Sequence, residues 1–170
     1  MQLGLTWPLQ RLLRQKNVAY GLPLPQKWCW DAHCITLRGR SSLLLVHCAS
    51  RYACVRYDMS PADWAALPVI VREELELGLR DAGMEEAAIQ AYLQTCGAPE
   101  YTRTHGRREV AFLNRAWEDV LARDWLLDET ANHQLLLGAA VNGVPCRCGG
   151  FSETDTALAF LRRSLANEEG

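Results

Sequence analysis

The segment Trp30 to Tyr57, WDAHCITLRGRSSLLLVHCASRYACVRY, constrains the fold more than any other part of the chain. Its short apolar runs, rich in β-branched and aromatic residues and broken by turn formers, predict three antiparallel strands joined by two tight turns. Pairing Ile35 and Leu37 with Leu45 and Leu43 puts these odd-numbered residues on one face, with Ala53, Val55 and Tyr57 beside them. Cys34, Thr36, Leu44, Val46, Cys48, Cys54 and Arg56 then share the other face. A slip of one residue would exchange the faces, so the register is a definite expectation. Both faces are partly apolar, which predicts cover on each side of the sheet.

Around this meander, about residues 31–57, the rest of the chain reads mainly as helices. Gln2 to Thr6 alternates like a short strand, and Pro8 suits the first turn of a helix carrying Leu9, Leu12 and Leu13. The prolines of Gly21-Leu-Pro-Leu-Pro25 make a stiff connector. Ser60-Pro-Ala-Asp63 has the capping-box pattern of a helix start, and Pro68 restarts or kinks that helix. Val71, Leu75 and Leu79 form its apolar stripe, and Gly83 ends it. A second helix runs from Glu85 to Thr95, with Ile89, Leu93 and Cys96 inward. Tyr101 to His105 reads as extended. Arg108 to Arg123 is helical, with Val110, Leu113, Trp117 and Leu121 expected inward. Gln134 to Val141 fits a short helix or a strand, and Ser152-Glu-Thr-Asp155 predicts the cap of a final helix bearing Leu158, Leu161 and Leu165. The sum is one α+β domain over residues 1–170, a size that supports a single core.

A net charge of −2 argues against a dedicated nucleic-acid binder, whose domain is usually strongly basic. No run approaches the roughly 20 apolar residues that cross a bilayer, and the start of the chain is not patterned as a secretory leader. The seven cysteines, an odd number, are therefore expected to be reduced and mostly buried in a cytoplasmic protein.

Three segments resemble a family of small bacterial proteins of uncharacterised function. Trp30-Asp-Ala-His-Cys-Ile-Thr followed by Arg40-Ser-Ser-Leu-Leu-Leu is similar to its W-x-A-x-x-[IL]-T and [RK]-x-x-L-L-L hairpin. Thr102-Arg-Thr-His-Gly-Arg-Arg-Glu-Val with Asn114 is similar to its T-x-T-x-x-R-x-V segment leading to an Asn, and Val141-Asn-Gly-Val-Pro145 to its [IL]-N-x-x-P element. Where the family tends to have an aromatic-then-proline step, Phe151 is followed here by Ser152. The resemblance implies a shared domain and no particular chemistry.

Several residues are candidates for function. The Thr104-His-Gly-Arg-Arg108 turn entering a helix, with Arg103, His105, Arg107 and Arg108, has the composition of an anion site. It matches no phosphate-loop template, so an exposed basic loop is the plainer reading. For metals, His33 facing His47 and a cluster of Cys34, Cys48 and Cys54, with Cys146-Arg-Cys148 as a further pair, lack the spacing of structural zinc sites, and no metal or cofactor is expected. Asp31 with His33 and Asp58 suggests a base, without a nucleophile elbow or paired carboxylates to complete it. Of the tryptophans, Trp64 and Trp117 suit the core, whereas Trp28 and Trp30, beside the stiff connector, are expected partly exposed on one side as protein-binding anchors. Asn114 and Asn142 are expected to satisfy backbone groups. The reading that follows is a non-enzymatic module with a protein partner. The alternative is a phosphate-ligand or nucleic-acid-acting protein using the Arg103–Arg108 loop.

Overall fold

The computed structural model describes residues 1–148 and 152–166. In chain order its elements are β1 (Gln2–Leu5), α1 (Trp7–Leu12), β2 (Cys29–Leu37), β3 (Arg40–His47), β4 (Ala53–Arg56), α2 (Pro61–Ala65), α3 (Leu67–Asp81), α4 (Glu86–Cys96), β5 (Glu100–Arg103), α5 (Arg107–Leu121), α6 (Leu135–Asn142), the two-residue strands β6 (Pro145–Cys146) and β7 (Asp155–Thr156), and α7 (Ala157–Ala166). The fold is α+β, built on a five-stranded sheet of order β4-β3-β2-β1-β5. The meander of β2, β3 and β4 is antiparallel, as expected. The sheet as a whole is mixed, because β1 lies in its interior and pairs in parallel with both β2 and β5. Parallel neighbours need a long crossover. The path through α1 and the proline connector supplies one, and α2 to α4 lie within the other.

The hairpin register differs from the expected one, and the turn explains why. Leu37 pairs directly with Arg40, leaving Arg38 and Gly39 as a two-residue loop with both φ angles positive. Such a primed turn follows the strand twist and fixes the pairing. Ile35 therefore faces Ser42, and Ala32 faces Leu45. The shift is an odd number of residues, so β3 presents its opposite set to each side. Leu44 and Val46, rather than Leu43 and Leu45, join Ile35, Leu37, Ala53 and Val55 under α5 and α6. Leu43 and Leu45 join Leu3, Leu5, Trp30, Ala32 and Cys54 under the helices packed on the other face. Both faces are covered, as the apolar content of the strands requires.

The helices begin largely where their caps place them. Ser60 Oγ accepts the Asp63 N–H at 3.1 Å, and the Asp63 carboxylate accepts the Ser60 N–H at 2.8 Å. Gly83, at φ +76, closes α3 in a conformation that other residues rarely adopt. The last helix starts later than the Ser152–Asp155 pattern suggests. Asp155 and Thr156 are extended in β7, and Thr156 Oγ1 caps α7 by accepting the Ala159 N–H at 3.1 Å. On α5 the buried residues are Glu109, Leu113, Ala116 and Val120. Leu121 points out, so the inward stripe lies about one residue from the expected one.

Candidate functional site

Polar side chains gather on one end of the sheet face that looks toward α5. Gln2 and Gly4 of β1 lie beside Cys29 and Asp31 of β2. Cys48 continues the ladder opposite Cys29, donating its N–H to the Cys29 carbonyl at 3.0 Å. His105, in the turn between β5 and α5, closes over these residues. Its Nδ1 lies 2.6 Å from Asp31 Oδ1 and 3.4 Å from Cys48 Sγ, while Nε2 lies 3.2 Å from Gln2 Oε1. Gly4 makes room: a Cβ there would stand 2.0 Å from Asp31 Oδ1 and 2.9 Å from His105 Nδ1.

The electrostatics of this cluster follow from burial and pairing. Burial disfavours a charge on His105, but bonds to Asp31 and the neighbouring Cys29 outweigh it and hold the imidazolium up to about 9. Burial pushes the Asp31 carboxyl up, with His105 pulling it back. The Cys48 thiol is pushed far up, first by burial and then by the Asp31 charge, so it stays protonated. Asp31 is only 1% exposed, and its Oδ2 has no hydrogen-bond partner among the described residues. Cys48 and Asp31 compete for the same ring nitrogen. A nucleophilic triad needs its nucleophile and its orienting carboxylate on different nitrogens of the histidine, so this is not one. A cleft of about 220 Å³, lined by Gln2, Tyr20, Leu22, Cys29 and His105 among others, opens onto the cluster.

The four side chains of the expected anion loop have separate tasks. His105 serves Asp31. Arg108 pairs with the buried Glu109 carboxylate at 2.5 Å. Arg103 donates Nε–H to the Val18 carbonyl at 2.9 Å and stacks its guanidinium over Tyr20. Arg107 alone of the four makes no ion pair, hydrogen bond or ring contact among the described residues. It borders a cleft of about 510 Å³ with Trp7, Gln10, Tyr20 and Gly106.

The two tryptophan anchors are more enclosed than expected. Trp30 is 0% exposed, sits over His47 and donates Nε1–H to Tyr92 Oη at 3.0 Å. Trp28 is half-buried and stacks on Tyr92. Trp30 alternates with Asp31 along β2 and so faces the main core, which is why it cannot remain at the surface. The exposed indoles are instead Trp7, at 69%, and Trp125, at 70%.

The histidine and cysteine groupings also change with the register. His33 faces Leu44 and bonds Thr6, while His47 faces Trp30 on the opposite side and bonds Ser50 and the Lys27 carbonyl. Burial lowers the His47 pKa to about 4, leaving it neutral. Cys34 and Cys54 lie on the other face from Cys48. All seven cysteines are free thiols. The Cys148 thiol, with Arg51 beside it, draws Cys146 down to about 7. The histidine that partners Asp31 is His105, not His33, and Asp58 is an exposed residue 3.8 Å from Arg40. Asn142 does satisfy backbone, bonding both the N–H and the C=O of Ala53 at 2.7 Å. Asn114 is exposed.

The largest concavity described lies elsewhere, between α1 and α2. It encloses about 800 Å³, and Leu12, Leu13, Met59, Trp64 and Tyr101 supply much of an apolar lining with Arg14 as its single ionic side chain. The buried residues of α1 are Leu9 and Gln10, with Leu13 half-buried beyond them, and Leu12 lies off that face at 45% exposed. No described helix is long and apolar enough to cross a membrane.

No curated protein matches the chain. A family match covers residues 2–156, and with it the meander, the His105 turn and both sheet faces. The chain belongs to the family described as Domain of unknown function (DUF6933).

Proposed function

We propose that this chain is a non-enzymatic, cytoplasmic protein-binding module that seats a short acidic, apolar-anchored segment of a partner in the groove between α1 and α2. The observation that carries this reading is the groove itself. Its Trp, Tyr, Met and Leu side chains are of the kinds that supply interface anchors, and Arg14 stands among them. The α1 end of its rim is basic in sequence, with Arg11, Arg14 and Lys16, and Arg14 is the ionic residue of the lining itself. An apolar floor beside a basic edge selects amphipathic peptides of negative charge. Free thiols throughout suit a reducing compartment.

A displayed library of random peptides tests this. The expected pool pairs large apolar residues with Asp or Glu, and Leu12→Glu or Arg14→Glu lowers its affinity at least tenfold without loss of fold. A pool of no such character, or one that binds both variants unchanged, overturns the reading.

The cleft beside Arg107 favours a second reading, a phosphate-bearing ligand with a ring for Trp7 or Tyr20 to stack on. Here a nucleotide would raise the melting temperature by mass action, and Arg107→Ala would remove the effect. Because the rest of the loop is engaged internally, we rank this below the groove.

A further inference from the structure

The geometry points to a zinc site formed by the Asp31 carboxylate, Cys48 Sγ and His105 Nδ1. These three ligand atoms all lie within 4.8 Å of one another. They come from β2, the end of β3 and the β5–α5 turn, three segments whose sequence spacing resembles no zinc motif. Asp31 is 1% exposed and its Oδ2 lacks any hydrogen-bond partner among the described residues. An orphaned buried acceptor is costly and marks where an ion or water belongs. The donor set is one carboxylate, one thiolate and one imidazole, a mixture that suits zinc better than the oxygen-seeking cations.

The distances fit a metal after a small adjustment. With bonds of about 2.0–2.3 Å, tetrahedral ligands stand about 3.3–3.7 Å apart. The 3.4 Å between Cys48 Sγ and His105 Nδ1 already meets this. The 2.6 Å between Asp31 Oδ1 and Nδ1 is a shared-proton distance and opens by less than about 1 Å when zinc replaces the proton. Charge also balances. The Asp31 carboxylate and the Cys48 thiolate that binding requires supply two negative charges against the +2 of the ion. The cleft lined by Gln2, Cys29 and His105 gives the ion its path.

Cobalt and zinc titration of the purified full chain under reducing conditions tests the site. The expected result is uptake of one Co²⁺ per chain, with proton release on uptake and an intense thiolate-to-cobalt band, followed by displacement of the cobalt by Zn²⁺ without further proton release. Cys48→Ser should remove the band, and His105→Gln should weaken zinc binding at least tenfold. Cys34→Ser, on the other sheet face, and Cys146→Ser, outside the three-ligand cluster, should leave both unchanged. The wild-type spectrum decides even if a variant misfolds. Absence of stoichiometric uptake, or a cobalt spectrum with no thiolate band, overturns the site. So does a band lost with Cys146 rather than with Cys48.

Discussion

Two half-buried histidines sit against buried carboxylates in this protein, and their surroundings differ in charge. His133, just before α6, holds Glu74 Oε1 on Nδ1 at 2.7 Å and Asp81 Oδ2 on Nε2 at 2.6 Å. Both carboxylates belong to α3, and Arg56 of β4 stands 3.6 Å from the other Glu74 oxygen. Two cations and two anions thus meet where α3, β4 and the approach to α6 join. His105 has one carboxylate, one amide and a thiol. Asp31 Oδ2 and Glu74 Oε2 are both buried without a hydrogen bond, but a guanidinium faces the glutamate oxygen, whereas His105 is the one cation paired with Asp31 among the described residues. The count of anions around the ring separates a structural tie from a site able to take up an ion.

The largest expected effect lies at the Arg56–Glu74–His133 cluster. Glu74→Gln should cost about 3–5 kcal/mol in urea denaturation, since it leaves Arg56 and His133 facing a lost buried charge. A loss under about 1 kcal/mol would break the comparison by showing that the tie is not structural.

Next comes pH. Burial opposes the charge on His133, yet its bonds to Glu74 and Asp81 raise it to about 9, as Asp31 does for His105. Because each folded value exceeds the unfolded value of about 6.5, the stabilisation is full below about 6.5 and is lost as pH rises through about 9. A tenfold difference in proton affinity between the folded and unfolded chain is worth roughly 1.4 kcal/mol, so stability should fall by on the order of 3 kcal/mol for each ring across that window. Titration followed by histidine NMR should show both rings deprotonating near the top of it. A ring that titrates near 6.5 is not paired as described.

The smallest effect should come from Asp31→Asn, the like-for-like counterpart of Glu74→Gln. We expect a cost below about 1 kcal/mol, because Asn keeps a bond to His105 and relieves the burial of a half-paired carboxylate. The same variant should lower the His105 pKa toward its ordinary value. A loss as large as that at Glu74 would make the two clusters equivalent.

Much of this fold is legible in the chain. The meander, the Ser60–Asp63 cap and the Pro68 restart are local signals that no distant contact overrides. The register is harder, because apolar alternation alone allows two face assignments for β3 and favours the wrong one. The two-residue Arg38-Gly39 turn decides between them. The parallel pairing of β1 has no local signal at all. The Asp31–Cys48–His105 cluster is illegible for the same reason: the hairpin brings Asp31 and Cys48 together, but His105 joins them only through that pairing. His105 stands out in the sequence, but for a charge that Asp31 in fact absorbs. The groove leaves no mark either, since an exposed Leu12 looks like any other leucine of a helical stripe.

The interior position of β1 also sets an order of assembly. Gln2 finds its partners at Cys29 and at Glu100, so one edge of the first strand waits for a strand on the far side of four helices. The hairpin of β2 and β3 closes across two residues, whereas closing the β1–β5 loop must first overcome the entropy of a long intervening chain. His105 follows β5 by two residues and cannot reach Asp31 until β5 has docked. The polar cluster is thus completed with the slowest, most non-local contact of the sheet, and a chain released before residue 100 would carry Asp31 and Cys48 with no histidine to join them.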